Sequence, residues 1–307
     1  MKIIFISGVK FGYDILSHLI ENNWKISAVF SYSEDVRKNY SDSISFKSIT
    51  QKNKIEYFEV NNINDEENIQ IIKKFYPDLI LVMGWSQILK DVMLKIPSIG
   101  IIGSHPTELP KYRGRSPIPW TIIKNLKESA LTFFWIEHGV DNGDILYQEK
   151  FSISDSDDAQ SIYEKITIIG KNMIIKSLLD ISQGKLVHLK QNNSKFLEYW
   201  EKRTPDDGKI DWEKSSNEIH TLIRAVTYPY PGAFTDYLGQ KLIVWKSDNI
   251  ENNLNEPGKI LQIEKDGVLI GTGKNSILIR EISYAQYDKV NPQQIFTNND
   301  VGMILGK

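Results

Sequence analysis

Cysteine is absent from the 307-residue sequence, which excludes disulfide bonds, thiolate metal sites and cysteine nucleophiles together. The chain also lacks an apolar run approaching the roughly 20 residues that a membrane-spanning helix needs. Its apolar start, Met1 to Ile6, is too short for a signal peptide and is followed by Gly8 with no cleavage site. We therefore expect a cytoplasmic protein in a reducing compartment.

An excess of positive charge is missing as well. The sequence has 37 Lys and Arg against 39 Asp and Glu, a net charge of -2, so no field of the whole molecule attracts a polyanion. Hydrophobic residues at 41% and charged residues at 25% are typical of folded globular proteins. At this length we expect two domains.

The first part of the chain alternates apolar runs with amphipathic segments. Lys2 to Ser7 and Asp78 to Gly84 are continuous apolar runs, which predict strands buried on both faces. Between them, Phe11 to Asn22 has apolar residues at helical spacing. The alternation predicts a Rossmann-like, doubly wound α/β domain over residues 1–191, with its site at the carboxyl ends of the strands.

The pattern changes after this domain. Residues 192–208 form a polar connector, which we interpret as a linker, and residues 209–307 form a smaller predicted domain. It begins with one helix, Trp212 to Val226, and continues after Tyr228 with short alternating strands. Strands of this length and spacing predict a mainly β, OB-like module.

The segment from Ser104 to Trp120 carries the first candidate chemistry. His105 follows an apolar strand, at the end where open α/β sheets place their sites. Pro117 follows Ser116, a pair that predicts a helix start with unpaired amides.

Three cations, Lys111, Arg113 and Arg115, lie in the same segment. Together with the helix start they predict an anion-binding site. The alternative is that the three side chains are simply solvated.

A second polar segment, Asp141-Asn142-Gly143-Asp144, follows the next apolar strand. Asp and Gly are also ordinary turn residues. At an adjoining strand end, however, the Asp141 carboxylate would orient the His105 imidazole and increase its basicity, as a general base requires.

These segments resemble the 10-formyltetrahydrofolate-dependent formyltransferases. The signature is His-Pro-x-x-Leu-Pro-Lys-Tyr-Arg-Gly-Arg-Ser-Pro from His105 to Pro117, supported by Asp141-x-Gly-Asp144. A third match runs from Arg203 to Trp212 and continues at Tyr230-Pro-Gly-Ala-Phe, so that the resemblance covers most of the chain.

The resemblance implies that His105 is the catalytic imidazole, that Asp141 is its acidic partner and that 10-formyltetrahydrofolate is the formyl donor, without a metal. The family has an Asn two residues before the His, where this chain has Gly103. Losing one such oxyanion donor costs about 10²–10³ in rate. Either the activity is altered, or another donor takes its place: a backbone amide of Gly103 or Ser104, the Ser104 hydroxyl, or Asn142.

The resemblance also indicates the binding residues. The predicted folate-binding residues are Met83, Gly84, Trp85, Ile88, Leu89, His138, Gly139, Asp141 and Asp144. The predicted acceptor-binding residues are Ser104, Lys111, Tyr112, Arg113, Arg115, Trp120, Arg203 and Tyr230.

Charge balance is the basis for predicting the acceptor. From Lys214 to Lys307, ten Lys and Arg face ten Asp and Glu, whereas tRNA binding normally recruits clustered cations. We therefore expect a UDP- or dTDP-linked amino sugar as acceptor and partner, rather than a nucleic acid, and a homodimer is a further expectation.

Three alternatives stay open. The chain could be a methionyl-tRNA formyltransferase, or a formyltetrahydrofolate hydrolase or folate-binding protein. A nicotinamide dehydrogenase is disfavoured because only Gly8 and Gly12 follow the first strand, without the full glycine fingerprint.

Overall fold

The computed structural model describes residues 1–192 and 198–306, which form two compact units. The first unit comprises Met1–Pro117, Lys127–Ile153 and Tyr163–Glu201, and the second comprises Ile118–Leu126, Ser154–Ile162 and the chain from Lys202 onward. The predicted linker includes residues 193–197, which lie outside the described residues, and its boundaries stay a prediction.

A seven-stranded sheet lies at the centre of the first unit. The strands of this unit are β1 (Ile3–Ile6), β2 (Ile26–Tyr32), β3 (Glu56–Val60), β4 (Leu79–Val82), β5 (Gly100–His105), β6 (Arg113–Gly114), β7 (Glu128–Trp135), β8 (Ile145–Ser152) and β9 (Tyr199–Trp200). The sheet has the order β3-β2-β1-β4-β5-β7-β8, and β6 pairs separately with β9. Every residue of β1 and β4 is buried, as the continuous apolar runs predict.

Helices alternate with the parallel strands. They are α1 (Lys10–Glu21), α2 (Glu34–Arg37), α3 (Lys47–Lys52), α4 (Glu66–Lys74), α5 (Asp91–Leu94), α6 (Pro117–Ile123) and α7 (Ala159–Ser182). The helix α6 begins at Pro117 because proline needs no N–H donor at the first helical position. In the described part of the chain, no helix combines the length and apolar character needed to cross a bilayer.

The last two strands of the large sheet run against the others. β7 pairs antiparallel with β5, with His105 opposite Thr132 and Ile102 opposite Trp135, and β8 pairs antiparallel with β7. The carboxyl ends of β5 and β7 therefore lie at opposite ends of this strand pair. The Rossmann-like α/β architecture is confirmed, with an antiparallel extension that the sequence pattern does not indicate.

From Lys202 onward, the described part of the second unit is mainly antiparallel β-structure with the helix α8. The helix and strands of this part are α8 (Ser216–Val226), β10 (Ala233–Tyr237), β11 (Gln240–Ile250), β12 (Ile260–Glu264), β13 (Gly267–Gly271), β14 (Ser276–Tyr284) and β15 (Tyr287–Val290). The strands have the order β10-β11-β14-β13-β12, with β15 on β14. A capping box of Ser215 and Glu218 starts α8. The predicted mainly β module is confirmed.

Candidate active site

His105 lies at the carboxyl end of β5 with its side chain 7% exposed. Its Nε2 lies 3.0 Å from the carbonyl oxygen of Tyr112. Because a carbonyl can only accept a hydrogen bond, this nitrogen carries the proton of the neutral ring. The other nitrogen, Nδ1, faces Oδ2 of Asp141 at 3.7 Å. The neutral ring can therefore accept a proton on the side that faces a carboxylate.

Asp141 reaches His105 from a loop that folds back along the sheet. The N–H of Trp135 donates to the carbonyl of Asp144 over 2.8 Å and closes this loop. Oδ2 of Asp141 accepts a hydrogen bond of 3.1 Å from the N–H of Gly114. The expectation that adjoining strand ends bring the pair together is therefore wrong, because β7 is antiparallel to β5. The pair depends on loop closure instead.

Gly103, at the position of the family Asn, lies in a space that its neighbours already fill. A Cβ at this position would be 2.9 Å from Cγ1 of Ile136 and 3.0 Å from Cζ of Phe134. An Asn side chain therefore needs a neighbour to move before it fits.

Two of the side chains considered as replacement donors face elsewhere. Nδ2 of Asn142 donates to the carbonyl of His138 over 2.8 Å. Ser104 precedes His105 in β5, so its side chain points to the opposite face of the sheet. The structure therefore does not bring either of them together with the imidazole.

A stack of three aromatic rings occupies the end of β1. Tyr32 lies between Tyr40 and Trp85, with centroid distances of 4.8 and 3.8 Å and interplanar angles of 3° and 12°. A Cβ at Gly8 would be 2.1 Å from the Tyr32 ring, so glycine allows this close approach. Burial raises the pKa of the Tyr32 phenol, which therefore stays protonated and bonds to Ser86 over 2.8 Å. Tyr32 therefore packs directly against the backbone that follows β1.

The predicted folate-binding segment that follows β4 is a turn with mixed burial. Gly84 has a φ of +67°, a conformation that favours glycine. Met83 and Leu89 are buried, whereas Ile88 is 66% exposed. The segment therefore presents an apolar side chain on its outer side.

The second predicted folate-binding segment, around His138, contacts the start of α5. Nδ1 of His138 lies 2.9 Å from Oδ1 of Asp91, and this hydrogen bond lowers the pKa of the Asp91 carboxyl. Gly139 follows with a φ of +112°. The structure thus joins the loop after β7 to the region directly after the first predicted segment.

Asp144, also predicted to bind folate, has ionic partners in the protein. Its side chain is 8% exposed, and Oδ2 lies 3.0 Å from Nζ of Lys190 and 3.4 Å from Nδ1 of His188. The hydrogen bond to Asp144 raises the pKa of Lys190. The carboxylate is therefore directed to the segment after α7. Among the described residues, no group of three or more His, Cys, Asp or Glu is arranged to hold a metal.

Most of the predicted acceptor-binding loop before α6 is held in place. Nζ of Lys111 lies 3.1 Å from Glu108, and the Tyr112 ring stacks on Trp200 with a centroid distance of 4.6 Å. Arg115 is exposed, and its N–H donates to the carbonyl of Trp200 over 2.8 Å.

Arg113 lies inside the protein. Its residue exposure is 2%, and its guanidinium donates to Oε1 of Gln191. The strand β6 that carries it pairs with β9. The prediction from sequence did not include Gln191, because an isolated glutamine at the edge of a polar connector has no distinguishing pattern.

The remaining predicted residues belong to the second unit. The Arg203 guanidinium lies 5.0 Å from the ring centroid of Trp120, within cation–π range. Tyr230 lies in the turn after α8, where its N–H donates to the carbonyl of Thr227 over 3.0 Å.

We predict that Gly103→Asn lowers the free energy of unfolding by about 1–3 kcal/mol, because the added side chain overpacks the space next to Ile136. Urea unfolding of the variant measures this change. The matched control is Gly103→Asn combined with Ile136→Ala, with Ile136→Ala alone as its reference. Equal destabilisation by Gly103→Asn in both backgrounds would contradict the crowding that we describe.

Comparison with known proteins identifies the family. A model described as formyl transferase matches residues 1–178, and a model described as formyl transferase, C-terminal domain, matches residues 202–300. A methionyl-tRNA formyltransferase of Alkaliphilus oremlandii is 33% identical over the full length of both chains. The bifunctional polymyxin resistance protein ArnA of Wigglesworthia glossinidia brevipalpis is 34% identical, and the whole of this chain covers 46% of that protein.

A solved structure has the same fold. The N-formyltransferase from Helicobacter canadensis, in complex with folinic acid and dTDP-3-aminofucose, has a TM-score of 0.66 and 20% identity, and the match covers 91% of this chain and 99% of that one. At this identity the likeness concerns the fold alone.

These findings overturn the predicted amino-sugar acceptor. Relatives with end-to-end matches at 30–33% identity are methionyl-tRNA formyltransferases. The charge argument failed because it counted charges along the chain without their positions. In the second unit, for example, Lys241 and Lys289 lie over aromatic rings, an arrangement that a charge count does not record.

The predicted enzyme class, a formyltransferase, is confirmed, because one family model matches residues 1–178 and the other matches residues 202–300. The chain belongs to the formyl transferase family.

Proposed function

We propose that this chain transfers the formyl group of 10-formyltetrahydrofolate to the amino group of methionyl-tRNA. The observation that carries the proposal is the 33% identity to a methionyl-tRNA formyltransferase over the whole of both chains. A match of that extent includes the second unit as well as the unit that contains His105.

In the proposed reaction, the neutral amine attacks the formyl carbon and its proton passes to Nδ1 of His105. This nitrogen has the lone pair because Nε2–H donates to the carbonyl of Tyr112 over 3.0 Å. Asp141, 3.7 Å from Nδ1, then stabilises the imidazolium as the distance closes. Loss of tetrahydrofolate from the tetrahedral intermediate completes the transfer, and the leaving nitrogen takes the proton back.

The donor's pterin would lie along the segment from Met83 to Leu89. Two features of this segment fit a planar ring with polar edges. The buried Nε1–H of Trp85 has no acceptor in the described part of the chain, and Ile88 is 66% exposed. Val140, in the other predicted folate-binding loop, is 39% exposed and adds apolar surface. Small-molecule sites are lined mainly by apolar side chains with a few polar groups, which is the combination that these two segments supply.

In the second unit, cations lie over aromatic rings on one sheet face. Nζ of Lys241 lies 3.9 Å from the ring centroid of Phe234. Nζ of Lys289 lies 4.5 Å from that of Tyr228 and 5.1 Å from that of Trp245. Cations interleaved with aromatic rings suit a nucleic acid, because the cations can bind phosphates and the rings can stack with bases. We propose this face, defined by these five residues, as a tRNA contact.

A panel of acceptors tests the proposed function. We expect tetrahydrofolate to form from 10-formyltetrahydrofolate only when initiator methionyl-tRNA is present, with formyl-methionine recovered from the tRNA. Release of formate without acceptor would indicate a hydrolase, and turnover only with UDP- or dTDP-linked amino sugars would contradict the proposal.

We predict that His105→Ala and Asp141→Asn each lower kcat by a factor of about 10² or more, since general acid–base catalysis contributes about 10²–10⁴. Single-turnover formylation measures the rate, and circular dichroism verifies the fold. The surface variant His18→Ala is the matched control for His105→Ala. A kcat within a factor of two of wild type in either site variant would remove that residue from the mechanism.

We predict that Lys289→Ala and Lys241→Ala weaken tRNA binding without changing the single-turnover rate at saturation. Each loss of a phosphate contact should decrease the slope of log affinity against log salt concentration by about 1. Lys259→Ala is the control, because Lys259 is paired with Glu256 at 2.6 Å in the same unit. Equal effects of all three variants would show that the proposed face has no special role.

The homodimer and the cytoplasmic location stay predictions. Analytical ultracentrifugation of the full chain tests the first, and fractionation of cells tests the second.

A further inference from the structure

The backbone at Asp141 is left-handed and is held by a neighbouring side chain. Its φ is +50°, a region that non-glycine residues rarely adopt. Nε2 of Gln191 donates to the carbonyl of Asp141 over 2.9 Å and to the carbonyl of Gly143 over 2.7 Å. One amide group therefore fastens both ends of the turn that presents the carboxylate.

Gln191 has a fixed orientation of its own. Its residue exposure is 9%, and its Oε1 accepts a hydrogen bond from the buried guanidinium of Arg113. A guanidinium can only donate, so the amide oxygen must face Arg113 and the amide NH₂ must face the two carbonyls. Water has little access to replace either contact.

The residue after Arg113 holds the other side of Asp141. The N–H of Gly114 donates to Oδ2 of Asp141 over 3.1 Å. The two residues of β6 therefore both act on Asp141. Gly114 bonds directly to its carboxylate, whereas Arg113 orients Gln191, which bonds to its backbone carbonyl. This leaves the carboxylate a defined rotation toward Nδ1 of His105, 3.7 Å away.

We propose that Gln191 is a positioning residue for formyl transfer, which keeps the Asp141 carboxylate opposite Nδ1 of His105. The inference rests on the role proposed above for Asp141. The gap of 3.7 Å exceeds a normal N–H···O hydrogen bond and must shorten as the imidazolium forms. An error of about 1 Å in the placement of a catalytic group costs about 10²-fold in rate.

The test compares Gln191→Glu with wild type and with Asp141→Asn. Glu has nearly the same shape and keeps an acceptor for Arg113, but it has no N–H for the two carbonyls. We expect kcat to fall about 10²-fold, while KM for donor and acceptor stays within a factor of two. Gln183→Glu, at an exposed position after α7, is the matched control and should leave kcat unchanged.

A double-mutant cycle separates positioning from a general loss of stability. If Gln191 acts through Asp141, Gln191→Glu should lower kcat less than threefold in the Asp141→Asn background. A further 10²-fold loss in that background, or a near-normal kcat for Gln191→Glu alone, would overturn the proposal. If Asp141→Asn itself has a near-normal kcat, the mechanism proposed above fails, and this inference fails with it.

Discussion

The contact between His105 and Asp141 is the constraint on which the geometry of the candidate active site depends. Since β7 runs antiparallel to β5, the sheet alone places the loop that follows β7 at the far end from His105. The carboxylate reaches the imidazole because the hydrogen bond from the N–H of Trp135 to the carbonyl of Asp144 turns the loop back. The N–H of Gly114 then donates a hydrogen bond to the Asp141 carboxylate. The position of the Asp141 carboxylate relative to His105 is therefore determined by how the loop closes and by the polar contacts that hold it.

The aromatic stack lies beside the end of β1, where Tyr32 packs against Gly8. In an ordinary doubly wound sheet, the crevice at the strand-order reversal holds a nucleotide. Here Tyr32 and Trp85 lie across the end of β1, and Gly8 permits the contact. The segment after β4 and the loop after β7 meet instead through the hydrogen bond between Asp91 and His138.

Local sequence patterns predicted the alternating strands and helices, because apolar runs and helical spacing are recognisable within a few residues. Short motifs likewise indicated His105 and Asp141. They could not predict the direction of β7, because an apolar strand looks the same in a parallel and an antiparallel pair. The burial of Arg113 could not be predicted either, because its charge is typical of an exposed residue, whereas its exposure is 2%. The acceptor prediction was wrong because summed charge does not record where the cations lie. Gln191 becomes visible only when residues 78 positions apart in the chain come together.

The pairing of β6 with β9 has a consequence for biosynthesis. The first family model ends at residue 178, but β9 is formed by Tyr199 and Trp200. During translation, the loop that carries Tyr112 and Arg113 must wait for roughly 85 further residues before its partner strand leaves the ribosome. Until Tyr199 and Trp200 have been synthesised, Arg113 and Gly114 lack the strand with which they pair, so this two-stranded sheet forms only after the seven strands of the large sheet are complete.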